Sequence, residues 1–160
     1  MRIIFVCLIT VCLVIGCAGK NASAGANGVS QSTISIQDFE ENEWKLIEVH
    51  IAGRDSQYRR DAQIEDGNFF TFRFNQSVIS GVGAPNRFSG PATVSGENNS
   101  IKIGLLRSTL MAALFEPEHL KEHDFYTYLQ NTYEMALVSN NLVFNSKTED
   151  GRDVKLVFNR

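Results

Sequence analysis

Gly81-Val82-Gly83-Ala84-Pro85-Asn86-Arg87-Phe88-Ser89-Gly90 is the stretch on which the reading of this chain turns. Two glycines and a proline crowd its first half, and Asn86-Arg87-Phe88 separates them from a closing glycine. Such a run suits a tight connection between strands, with positive φ or a close backbone approach at Gly81 and Gly83. The short amide of Asn86 can hydrogen-bond the backbone of its own loop. A phosphate-binding loop is the competing reading, and the residues oppose it. Asn86 stands at the third glycine position of a dinucleotide fingerprint, Pro85 removes an N–H where a phosphate needs a donor, and no helix pattern follows.

Outward from this stretch the pattern is that of strands. Phe70, Phe72 and Phe74 alternate with Thr71 and Arg73 after Phe69, the clearest strand signature in the chain. An aromatic row of this kind must be covered. Ser77 to Ser80 lead from it into the glycine segment. Upstream, Trp44, Leu46, Val49 and Ile51 predict a strand interrupted by a bulge, with Trp44, the single tryptophan, in the core. Residues 54–68 read as a polar loop in which Arg54, Arg59 and Arg60 form a solvated basic cluster among acidic residues.

Downstream, residues 91–95 and 100–106 predict a hairpin, with Ile101, Ile103 and Leu105 on one buried face. Glu116-Pro117-Glu118 has the composition of a helix entry, and Phe125, Tyr128 and Leu129 supply a buried stripe at i, i+3, i+4. Strands are expected over 132–138, 142–145 and 154–158, separated by turns at 139–141 and 147–151.

A second segment, Ser108-Thr109-Leu110-Met111-Ala112-Ala113, follows the glycine stretch by about twenty residues. The two segments, with the opening Trp44-Lys45-Leu46, resemble the META domain (HslJ-like) family over roughly residues 42–158. The resemblance implies an α+β, mostly antiparallel fold of about eight strands: a compact β-barrel or roll with one packed helix and a closing strand that completes it. Many relatives carry cysteines where this chain has Pro85 and Ala113. A bridge there would stabilise by about 3–4 kcal/mol, so packing must compensate for its loss, and a redox role is excluded. The family carries no agreed chemistry, so the likeness transfers fold and compartment better than activity.

The N-terminus speaks to compartment. Met1-Arg2 precedes an apolar run from Ile3 to Ile15, shorter than the ~20 residues a bilayer-spanning helix needs and suited to a signal peptide. It ends in Leu13-Val14-Ile15-Gly16-Cys17, which resembles a bacterial lipobox. The expected organisation is therefore a signal peptide over 1–16, a lipidated Cys17 with a flexible Gly/Ala/Ser/Asn-rich tether over 17–38, and the folded domain over 39–160. No Asp follows Cys17, which favours the outer membrane if the cell has one. Cys7, Cys12 and Cys17 are the only cysteines, so the expected domain has none.

Charge and titratable residues bound the function. With 15 basic and 18 acidic residues the chain is mildly acidic, which opposes nucleic acid as a partner. Its histidines are His50, His119 and His123; the last two could share a helix face near Glu118 and Glu122, but no third zinc ligand is identifiable. The sequence thus predicts no metal, no cofactor and no catalytic residue. The expectation is a membrane-anchored envelope lipoprotein with a non-catalytic META domain that works in binding or in envelope stress and maintenance. Its partners would be the membrane, through the anchor, and an envelope protein or small ligand. Asn86 and Arg87 form the candidate interaction loop. The alternative is a hydrolase whose site assembles only in three dimensions, for instance from His123, Asp124 and a serine.

Overall fold

The structure is a computed structural model that describes residues 39–40, 42–55, 58–60, 69–95, 99–112, 117 and 119–160. The expected signal segment, Cys17 and the tether lie outside the described residues, as do Ala113, Glu116 and Glu118.

Nine strands are described: β1 (Glu43–Ile51), β2 (Thr71–Asn75), β3 (Val78–Val82), β4 (Arg87–Ser95), β5 (Ser100–Ile103), β6 (Arg107–Ser108), β7 (Glu134–Val138), β8 (Asn141–Lys147) and β9 (Asp153–Asn159). Among the described residues one helix longer than a turn, α1 (Glu122–Gln130), lies between β6 and β7. All pairings are antiparallel. The β3–β4 pairing joins the two ends of the sheet, so eight strands close in the order β1-β2-β3-β4-β5-β7-β8-β9, with β6 an extra strand on β4. This is the expected antiparallel barrel with one packed helix. The last strand does close it: β9 pairs along β1 from Asp153's neighbour Val154 to Asn159.

The barrel is filled by aromatic rings. Phe72 stacks on Phe144 at 5.5 Å and meets Phe158 edge-on at 5.0 Å, while Phe39 lies 4.9 Å from Phe74. At the opposite end of β2, Phe70 packs 4.9 Å from Phe125 of α1, which carries the aromatic core onto the helix. Burial of these rings is the main favourable term for a domain without disulfides. Trp44 is buried and donates its indole N–H to the Phe39 carbonyl. The helix sends Phe125, Tyr128 and Leu129 inward. Its C-terminal end is tied to the wall by the Tyr128 carbonyl, which accepts from Thr132 Oγ1 at 2.9 Å and Ser146 Oγ at 2.6 Å.

Two bulges decide which side chains face inward. In β1 the register on β9 shifts between Leu46 and Glu48, so burial passes from Trp44 and Leu46 to Val49 and Ile51. That bulge frees the Ile47 carbonyl for the Arg60 N–H, and Arg60 also donates to the carbonyls of Leu46 and Phe69. Its guanidinium lies 4.8 Å over the Phe69 ring. Arg60 is therefore a structural strut, not the solvated member of a basic cluster that the sequence suggests.

The second bulge overturns the expected face of the 100–106 strand. Ala92 pairs with Ile103 but Ser89 pairs with Arg107, so three steps on β4 meet four on the β5–β6 segment. The extra residue reverses the alternation. Ile101 and Ile103 are buried as expected, Leu106 packs against the core, and Leu105 turns out to solvent.

The helix also begins later than expected. Lys121 is its N-cap, and His119 sits in a turn at φ 65° before it, so His119 and His123 do not share a helical face. One hairpin turn escapes sequence reading: Gln76-Ser77 adopts positive φ with no glycine to mark it, whereas the expected turn at 139–141 is present, with Ser139 and Asn140 also at positive φ.

Candidate functional site

The two motif segments meet at one end of the barrel, and Asn86 joins them. The chain leaves β3, passes Gly83 and the cis Ala84–Pro85 bond, and enters β4 at Arg87. Asn86 is 7% exposed. Its Oδ1 accepts from the Met111 N–H at 2.6 Å and from Thr109 Oγ1 at 2.9 Å. Its Nδ2 donates to Glu122 Oε2 at 2.7 Å and to the Met111 carbonyl at 3.3 Å. All four hydrogen-bonding positions of the amide are thus filled.

Glu122, the first residue of α1, completes the arrangement. Its Oε1 accepts from the backbone N–H groups of Ala84 at 2.5 Å and Asn86 at 2.7 Å. An ionised carboxylate receiving three donors makes strong, short bonds. Its place in the first turn of the helix is favourable to negative charge as well. Tyr126, one turn along, donates from its hydroxyl to the Asn86 carbonyl at 3.3 Å. Burial, with the Glu122 charge beside it, pushes the Tyr126 hydroxyl above the ordinary phenol range.

The glycines fit this geometry by close approach. A side chain at Gly81 would collide with the Thr71 carbonyl, and one at Gly83 with the side chains of Glu122 and Tyr126. Neither has a positive φ, so of the two reasons foreseen for glycine here, close approach is the one that holds. Arg87, the other member of the candidate loop, is exposed, while its backbone pairs with Thr109 in both directions: the Arg87 N–H to Thr109 Oγ1 at 3.1 Å, the Thr109 N–H to the Arg87 carbonyl at 3.0 Å.

Sequence reading placed Glu122 only beside the histidines of a helix face and so missed its part in this site. Nothing local marks it; an acid in a first turn is commonplace, and its partner stands 36 residues away. The residues named for a hydrolase do not gather here. His123 is highly exposed with its Nε2 3.9 Å from Glu149, and it lines a shallow surface depression of about 240 Å³ with Asp124, Asp150 and Arg152. Among the described residues no three His, Cys, Asp or Glu side chains group as metal ligands. An open groove of about 670 Å³ lies elsewhere, along β1 and β9, lined by polar groups that include His50, Arg54, Asp153 and Lys155 with Tyr133.

The chain thus forms a closed eight-stranded antiparallel barrel with one packed helix, latched by an asparagine that joins two loops. The chain belongs to the META domain family, whose pattern it matches over residues 37–158. It is similar in fold to a protein from Burkholderia xenovorans determined by NMR, at 18% identity and a TM-score of 0.62, covering 89% of this chain and 96% of that one. A DUF4847 family protein from Bacteroides vulgatus is similar at 12% identity and a TM-score of 0.54, covering 78% of this chain and 96% of that one. No curated protein matches the chain.

Proposed function

We propose that this protein is a lipid-anchored component of the bacterial cell envelope whose META barrel works by contact and not by bond-making. The observation that carries this reading is the use made of the converging polar groups. Asn86, Thr109 and Glu122 direct their side chains at backbone N–H and C=O groups and at one another, which fastens two loops to a helix. A catalytic constellation instead leaves a nucleophile or base facing a space for substrate. Support for the anchor comes from the sequence: the apolar run that stops at Gly16-Cys17, and the small, polar residues that follow it.

The test is direct. Cells expressing the chain are fed labelled palmitate, and the N-terminal peptide is analysed by mass spectrometry. The expected result is acylated Cys17 in the membrane fraction and a soluble, unlabelled protein for Cys17→Ser. An unmodified Cys17 in a soluble pool of wild-type protein overturns the anchor. Turnover of an ester, amide or glycoside library by the purified protein, lost in a variant of one polar residue, overturns the non-catalytic reading.

A further inference from the structure

The segment from Gly104 to Ala112 carries apolar side chains that the barrel does not use. Leu105 is 74% exposed, Leu110 98% and Met111 60%, three large apolar residues within seven positions. Scattered single exposures are ordinary, but a cluster marks a contact surface. Nor is this a loose loop that could fold over its own side chains. The Asn86 amide bonds both the N–H and the C=O of Met111, and Arg87 holds Thr109. The bulge between β5 and β6 turns Leu105 outward for a defined geometric reason.

The stretch of sequence that contains this segment is opposite in charge to the rest of the chain. Residues 69–115 contain four basic residues, Arg73, Arg87, Lys102 and Arg107, against one acid, Glu97; the rest of the chain has eleven basic and seventeen acidic. All four basic residues are exposed, and Arg73 shares its charge with Glu43 of β1 at 3.4 Å, which leaves Arg87, Lys102 and Arg107 as the main cations of this stretch. The register sets Arg73, Ser80, Ser89 and Arg107 in one row across β2, β3, β4 and β6, so the two arginines share the outer wall. Basic residues flanking protruding apolar ones suit an anionic bilayer surface, where the apolar groups enter the headgroup region and the cations meet lipid phosphates.

We propose that the outer wall formed by β2, β3, β4 and β6 docks on an anionic phospholipid bilayer, with Leu105, Leu110 and Met111 as the inserting residues. The choice of occupant rests on the envelope reading above. Residues 18–38 are 21 in number, a length whose r.m.s. span is about 25 Å and whose full extension is about 70 Å. Either span lets this wall turn to the bilayer that would hold Cys17, and the tether would keep it there at high local concentration. The anchor holds the chain at the membrane, and the weaker contact of the wall then holds the barrel flat against the surface.

Tryptophan fluorescence tests this. The chain from residue 17 onward, with Cys17→Ser so that no acyl chain is present, receives Leu110→Trp. Trp44 is 1% exposed and gives a constant buried background. With vesicles of phosphatidylglycerol and phosphatidylethanolamine, the introduced indole should shift to shorter wavelength and be quenched by brominated acyl chains. Adding Arg87→Gln and Arg107→Gln should lower vesicle partitioning by about tenfold or more, and raised salt should do the same. Unchanged emission with these vesicles overturns the proposal. So does a blue shift that needs no vesicles and grows with protein concentration, which would assign the wall to a second copy of the chain. Partitioning as strong to phosphatidylcholine vesicles overturns the role of charge. Because no acyl group is present, these outcomes are independent of whether Cys17 is lipidated in cells, which mass spectrometry reads alone.

Discussion

Asn86 and Leu110 belong to adjoining parts of one end of the barrel and reverse the usual placement of their kinds. The amide is 7% exposed and the leucine 98%. Burying a polar group is tolerable only when its hydrogen bonds are replaced, and Asn86 replaces all of its own. Exposing a leucine costs the hydrophobic stabilisation it would have supplied inside. The contrast teaches that the two motif segments divide the labour. The first holds the fold together through a side chain; the second is held through the Met111 backbone and the Thr109 hydroxyl, which leaves the Leu110 and Met111 side chains exposed.

Mutations at the two sites should therefore separate stability from contact, and the largest effect belongs to the buried amide. Asn86→Ala removes four hydrogen bonds and leaves the Met111 N–H and a Glu122 oxygen without their partners, at a cost of about 3–4 kcal/mol. Urea unfolding reads this as a lower midpoint; a midpoint unchanged from wild type would break the assignment of Asn86 as the latch. Gly81→Ala should follow at about 2–3 kcal/mol, because the new methyl meets the Thr71 carbonyl, a backbone atom that cannot move without disturbing β2. Thermal melts by circular dichroism check it, and Gly53→Ala, in open space but at positive φ, is the control for backbone strain alone.

A smaller effect is expected at Tyr126, and it carries a pH signature. Its hydroxyl in the folded state titrates above the ordinary value of 10.0, so the folded state holds the proton more tightly than the unfolded one. The corresponding stability is fully present below pH 10 and is lost as pH rises beyond it. Tyr58 and Tyr128 are raised in the same direction by burial. Tyr126→Phe should cost about 1 kcal/mol at neutral pH through the lost bond to the Asn86 carbonyl. It should also make the decline in stability above pH 10 shallower, as chemical unfolding in parallel series at pH 8 and pH 10.5 would show. An identical decline in both proteins would separate Tyr126 from the latch.

At the far end of the scale stands Leu110→Ser. Its effect on the unfolding midpoint should stay within about 0.5 kcal/mol, since a side chain this exposed contributes little packing. A larger loss would mean that the leucine is covered in solution, and the contrast with Asn86 would narrow.

Much of the fold was legible. Phe70, Phe72 and Phe74 announced a covered strand, and all three are buried. Trp44, Leu46, Val49 and Ile51 are buried as their spacing required, with the bulge between them. The helical stripe of Phe125, Tyr128 and Leu129 turned inward as periodicity demanded. The failures share a cause. Leu105 was assigned to the wrong face because a single added residue reverses alternation, and no residue type marks where it falls. Arg60 was read as solvated because its backbone N–H and its fork find carbonyls of Ile47, Leu46 and Phe69, partners that only the tertiary pairing at the β1 bulge brings within reach. The latch was half legible: an asparagine in a glycine-rich turn suggested backbone bonding, but not which backbone.

What the sequence determined by itself is local and periodic: strands from alternation, a helix from its stripe, a tight connection at the glycine stretch, and the family to which they belong. Tertiary structure alone decided the glycines' close approach, the reversal at Leu105 and the meeting of Asn86 with Glu122. Those outcomes depend on pairings across tens of residues, whose energies lie in hydrogen bonds and ring contacts that no short window of sequence contains.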